Sequence, residues 1–92
     1  MLYTFSQAVY DKNELNRYFQ YMNEDDAVVL WQDGILLAIK ETDLLAESKA
    51  PIYVLDTDVQ ARGLVDLIND NWLISSDDLT ELTNEVTPQF AL

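Results

Sequence analysis

The polarity of the chain switches in short blocks. Residues 2–6 are apolar and aromatic and read as a first strand. A polar stretch leads into a segment over about 12–22. There Leu15, Tyr18, Phe19 and Met22 fall at i, i+3, i+4 and i+7, the single stripe of an amphipathic helix. Asn16, Arg17 and Gln20 lie on the opposite face, and Asp11 or Asn13 offers a side-chain oxygen to the free amides of the first turn. Asn23-Glu24-Asp25-Asp26 is a polar turn. It opens onto Ala27-Val28-Val29-Leu30-Trp31, whose length and β-branched content suit a strand buried on both faces, as in a parallel sheet.

Asp33-Gly34 breaks that run with a sharp turn at the carboxyl end of the strand. Residues 35–39 then pack back as a short apolar helix or turn, and Asp43 is placed to cap a short helix at about 43–48. Lys49-Ala50-Pro51 ends that element, because the residue before a proline is pushed away from helical angles. Ile52-Tyr53-Val54-Leu55 is the next strand. Asp56-Thr57-Asp58 is expected to cap a helix over roughly 57–63, and Gly63 to end it. Leu64, Val65, Leu67 and Ile68 follow no clean period and read as a short strand or an extended connection. Asn69-Asp70-Asn71 turns the chain into a strand over 72–74. Ser75-Ser76-Asp77-Asp78 is a cap cluster for a last helix over about 77–86, with Leu79, Leu82 and Val86 on one face. Thr87-Pro88 stops it, and Gln89-Phe90-Ala91-Leu92 is an apolar tail that suits water poorly unless it docks.

This alternation predicts an α/β fold, a mainly parallel sheet with helices on both faces. The length of 92 residues predicts a single domain, residues 1–92. With 49% hydrophobic residues a core is available, but a domain this small buries a modest share of its surface, so leftover apolar side chains favour a partner subunit.

Charge narrows the partners. The net charge of -12 argues against direct contact with nucleic acid, which needs clustered Lys and Arg, and against anionic membrane surfaces. It leaves two readings, a solvated surface or an acidic face for a basic partner. The chain has no Cys and no His, which removes thiol nucleophiles, disulfides, Cys/His zinc sites and histidine triads. No Gly-rich phosphate loop is present. The acid pairs Asp25-Asp26, Asp56-Thr57-Asp58 and Asp77-Asp78 sit at element starts, where capping and dipole compensation account for them; an acid/base or magnesium site would need two pairs to meet across the fold. The residues therefore assign no catalytic, cofactor-binding or metal-ligating position. The start of the chain has no signal-peptide pattern and no run long enough to span a bilayer, so a cytoplasmic protein is expected.

Contact residues are easier to nominate. Ligands and partners of open α/β sheets sit beyond the carboxyl ends of the strands, which puts Asp33 and Gly34 near a functional edge. Arg62 either compensates a helix C-terminus or an acid, or makes a fixed contact with an acidic group across an interface. Trp31 and Trp72 sit in strand-like runs and suit a core first, with an aromatic anchor between subunits as the alternative.

Three segments taken in order resemble a known family. They are Leu30-Trp31-Gln32-Asp33-Gly34 with Ala38; Ala50-Pro51-Ile52-Tyr53-Val54-Leu55 leading through Asp58 to Ala61-Arg62-Gly63; and Leu79-Thr80-Glu81-Leu82-Thr83 followed by Gln89 and an apolar tip. With the start Met1-Leu2-Tyr3-Thr4-Phe5, the chain resembles the DsrH/TusB family over its whole length, more closely its TusB branch. The resemblance implies a small flavodoxin-like or DsrE-like domain with a five-stranded, mainly parallel sheet. It implies assembly with homologous C-type and D-type subunits into a heterohexamer holding two copies of each. In this branch the complex relays persulfide sulfur toward 2-thiolation of the tRNA wobble uridine, with the D-type subunit carrying the sulfur-accepting cysteine and passing sulfur to an E-type partner. A relay step needs a thiolate that attacks and is attacked. This chain has none, so the resemblance implies a non-catalytic structural subunit with no cofactor and only an indirect link to tRNA. The subunit contacts are expected at Trp31, Asp33, Gly34, Arg62, Phe90 and Leu92. A stand-alone acidic module regulating a basic partner is the alternative, and a carboxylate-dependent enzyme a third reading.

Overall fold

The computed structural model describes residues 1–92 and forms one five-stranded sheet in the order β4-β3-β2-β1-β5. The strands are β1 (Leu2–Phe5), β2 (Ala27–Leu30), β3 (Ile52–Leu55), β4 (Leu73–Ile74) and β5 (Gln89–Ala91), and every neighbouring pair is parallel. The expected α/β class and parallel sheet are therefore what the chain adopts. The helices are α1 (Lys12–Tyr21), α2 (Leu37–Lys40), α3 (Thr42–Ala46), α4 (Asp56–Ala61) and α5 (Ser76–Glu85).

β2 is the centre of the sheet, and all four of its residues are buried. Successive side chains of a strand point to opposite faces, and the two cores divide along that alternation. Val28 and Leu30 join Phe5, Ile52 and Val54 beneath Leu15 and Phe19 of α1, Leu37 and Ala38 of α2, Leu45 of α3 and Val59 of α4. Ala27 and Val29 join Leu2 on the other face, where Leu79 and Leu82 of α5, with Val86, cover them. One face thus carries four helices and the other only α5.

Local signals set the ends of these elements. The Asp11 carboxylate accepts from the Asn13 amide at the start of α1, and the Ser75 hydroxyl accepts from the Asp78 amide at the start of α5. Gly63 ends α4 at φ +67. Its amide donates to the Gln60 carbonyl and that of Leu64 to Val59, the paired bonds of a Schellman ending.

Several expectations need correction. Residues 64–68 are not a strand: Val65–Leu67 is a 3₁₀ turn with Leu67 63% exposed, and the fifth strand is the apolar tail instead. The strand expected at 72–74 is shortened to Leu73–Ile74, because Trp72 closes a 3₁₀ turn over Asp70–Trp72. Asp43 lies inside the first turn of α3, and neither Glu41 before α3 nor Leu55 before α4 makes a side-chain cap bond. Asp56 and Asp58 instead sit in the first turn of α4, where their charge favours the positive end of the helix. No helix is long and apolar enough to cross a membrane.

Candidate functional site

The carboxyl end of β2 meets α4 at a tight corner. Trp31 leaves the strand extended, and its amide donates to the Phe5 carbonyl of β1 (3.2 Å). Gln32 then takes φ +52, a left-handed angle uncommon outside glycine, and starts a 3₁₀ turn over Gln32–Leu36. Its amide donates to the Asp58 carboxylate (2.7 Å). Asp33, the next residue, pairs with the Arg62 guanidinium. The 3₁₀ turn is thus held from both ends of α4, by Asp58 in its first turn and by Arg62 at its C-cap. Both Arg62 and Asp33 face solvent, with side chains 40% and 61% exposed, so the pair adds under about 1 kcal/mol.

Gly34 is needed there because of what lies against it. A Cβ on Gly34 would sit 1.9 Å from the Phe5 carbonyl oxygen, a clash with backbone that no side-chain adjustment relieves. The close approach lets Ile35 insert fully into the core.

The other end of the candidate surface is the tail. β5 pairs with β1 in the register Leu2↔Gln89, Tyr3↔Phe90, Thr4↔Ala91, and the Leu92 amide donates to Thr4 (2.8 Å). Tyr10 secures it: its hydroxyl donates to the Leu92 backbone oxygen (2.9 Å) and accepts from the amides of Ser6 and Gln7. Phe90 leans on Tyr3 and Tyr18, each ring centroid 6.1 Å away, and is still 42% exposed. On the opposite face, Gln89 and Ala91 border a cleft of about 250 Å³. Val29, Trp31 and Leu79 form its apolar walls, and Thr4 and Thr83 complete it without a charged residue. The buried Trp31 indole N–H has no hydrogen-bond partner.

The nominated residues therefore fall into two groups. Trp31, Asp33, Gly34 and Arg62 meet at the corner after β2, whereas Phe90 and Leu92 belong to the edge strand. Trp31 links the groups, since it also lines the cleft under β5. Sequence reasoning gave Asp58 as a helix cap and Gln32 as part of a segment without the bond between them, and did not single out Tyr10. A hydroxyl or carboxylate that acts across 26 or more residues leaves no local pattern to read.

The acid pairs stay apart, and no three acidic groups gather as metal ligands. Asp26 binds the Met1 ammonium (2.8 Å) and the Asn23 amide (2.9 Å). Burial pushes its carboxyl up, but the ammonium hydrogen bond, the Asn23 amide and the ammonium charge outweigh it and hold the group below the usual aspartate value. Burial, helped by the Asp26 charge, raises the Tyr3 phenol.

This fold and this chain have known relatives. The family model described as DsrH like protein matches residues 7–89. The chain belongs to the DsrH-like family. A relative from Haemophilus influenzae, called an uncharacterized protein, is 48% identical over 95 residues and spans all of both chains. Protein TusB from Yersinia pestis is 39% identical over 95 residues, covering 99% of each. Protein Tm0979 from Thermotoga maritima, a solution NMR structure, superposes with a TM-score of 0.65 over 91% of this chain and 92% of its own, at 22% identity. That likeness shows the fold.

Proposed function

We propose that this chain is a non-catalytic structural subunit of a cytoplasmic sulfur-relay complex, in which persulfide sulfur moves toward 2-thiolation of the tRNA wobble uridine. All 92 residues act as one domain in this role. The observation that carries the reading is similarity to proteins named TusB along essentially the full chain, joined to the complete lack of cysteine. Without a thiolate the chain has no group to take up persulfide sulfur, so its contribution is architectural. Its partners are the homologous C-type and D-type subunits, two copies of each, with a D-type cysteine carrying the sulfur to an E-type acceptor. The corner of Trp31, Asp33 and Arg62, shaped by the buried Gly34, and the edge at Phe90 and Leu92 supply the contacts. The net charge of -12 keeps tRNA on other subunits.

The test is size-exclusion chromatography with light scattering, on the chain alone and after co-expression with C-type and D-type subunits. One co-eluting species of the hexamer's mass is expected. A chain that elutes alone from that mixture overturns the role.

A further inference from the structure

β5 is an open edge with aromatic side chains on one flank and an uncharged cleft on the other. All three of its residues are exposed, and none is charged or proline. Natural sheets guard an exposed edge with Lys, Pro, a bulge or a covering element. In the parallel pairing, Pro88 accepts from Leu2 and Leu92 donates to Thr4, so alternate residues turn their backbone toward β1. Gln89 and Ala91 then direct their N–H and C=O groups away from the sheet. The side chains alternate with them: Phe90 lies on the Tyr3 and Tyr18 face, Gln89 and Ala91 on the cleft face. An extended chain laid along this edge places its own successive side chains on those same two faces.

We propose that β5 is the docking edge for an extended, uncharged segment of a partner subunit, which adds a sixth strand and drops one apolar side chain into the cleft beside Trp31. The proposal rests on the hetero-oligomeric role above and assigns the surface that serves it. The occupant is a different chain, because two copies that each carry -12 repel one another as they approach. The segment is uncharged because the cleft has no charged residue to pair with it. On the opposite flank its side chain covers Phe90 and Tyr18, aromatic residues of the kind that anchor interfaces. The other sheet edge, β4, is two residues long against three for β5.

The decisive variant is Ala91→Pro. It removes the outward N–H and puts a ring in the path of an added strand, and it leaves the bonds from Leu2 and Leu92 to their partners in place. Affinity for the co-purified C-type and D-type subunits is measured for wild type and variant, together with amide hydrogen exchange of the wild-type chain, free and bound. The expected result is a Kd raised at least about tenfold by Ala91→Pro, with slowed exchange at Gln89 and Ala91 in the wild-type complex. The exchange measurement decides the matter if the variant fails to fold. Wild-type binding with an unchanged Kd for a folded Ala91→Pro, or with unprotected edge amides, overturns the edge proposal and leaves the structural role standing. No binding by the wild type overturns both. Concentration-dependent pairing of the chain with itself that Ala91→Pro abolishes replaces the proposed partner with a second copy and overturns the proposal as stated.

Discussion

Replacing Gly34 with alanine asks whether this glycine serves the fold or an interface. The new Cβ would lie 1.9 Å from the Phe5 carbonyl oxygen and 2.6 Å from its carbon, whereas real Cβ contacts stay above 3.0 Å. β1 and the 3₁₀ turn must therefore part by more than an ångström. That separation breaks the bond from the Trp31 amide to Phe5, already 3.2 Å long, at a cost of about 1 kcal/mol. It also shifts fully buried Ile35, an overpacking strain of about 1–3 kcal/mol. Stiffening of the unfolded chain by alanine returns about 0.4–1 kcal/mol. The net loss is about 1–3.6 kcal/mol, which at this chain length lowers Tm by roughly 4–29 °C. Gly63→Ala is the matched control. Nothing lies within 4 Å of its Cβ, so only the left-handed angle of φ +67 is paid, about 1 kcal/mol. Urea and thermal unfolding of both isolated variants measure the difference. A Gly34→Ala chain within about 0.5 kcal/mol of wild type at equal m-value, or one less affected than Gly63→Ala, refutes the packing account.

Three further outcomes follow from the corner and the termini. Asp58→Ala frees the Gln32 amide from its 2.7 Å bond and costs about 1–2 kcal/mol by urea unfolding, more than Arg62→Ala, which costs under about 1 kcal/mol and less still at high salt. Equal losses would mean that the exposed ion pair holds the turn as firmly as the carboxylate–amide bond, against this ranking. Asp26 is ionised more readily in the fold than in the unfolded chain, so its contribution is present above the ordinary aspartate pKa and is lost as pH falls through the lower folded value. Wild type and Asp26→Asn therefore converge in stability at acid pH, and a gap that persists there contradicts this assignment. The Tyr3 phenol has the opposite sign: its pKa is raised, so the folded state loses stability relative to the unfolded chain as pH climbs above about 10, and Tyr3→Phe removes that slope.

Much of the fold was legible because burial and period agree. In β2 the apolar run is buried on both faces, and in α5 Leu79, Leu82 and Val86 meet the sheet as their spacing requires. The failures have physical causes. Leu64, Val65 and Leu67 look apolar enough for a strand, but β4 already pairs with β3 and leaves them no partner. Gln89-Phe90-Ala91 is too short and irregular to announce a strand; the vacant edge of β1 makes it one. Asp58 has the composition of a helix cap, yet Gln32 claims its carboxylate from 26 residues away. At the candidate site, Asp33 and Arg62 were each legible as functional types, and their pairing with one another was not.

The placement of β5 also sets an order of events in folding. β1 through β4 pair between neighbours in the chain, so each addition closes a modest loop. β5 must return to β1 across nearly the whole sequence, and closing so long a loop is slow and is rewarded by only three residues of ladder. The last strand therefore docks late and detaches first, as a partial opening well below the cost of global unfolding. While it is detached, β1 becomes the outer edge of a four-stranded sheet; the Tyr10 hydroxyl on Leu92 and the Leu92 amide on Thr4 are among the bonds that oppose the opening.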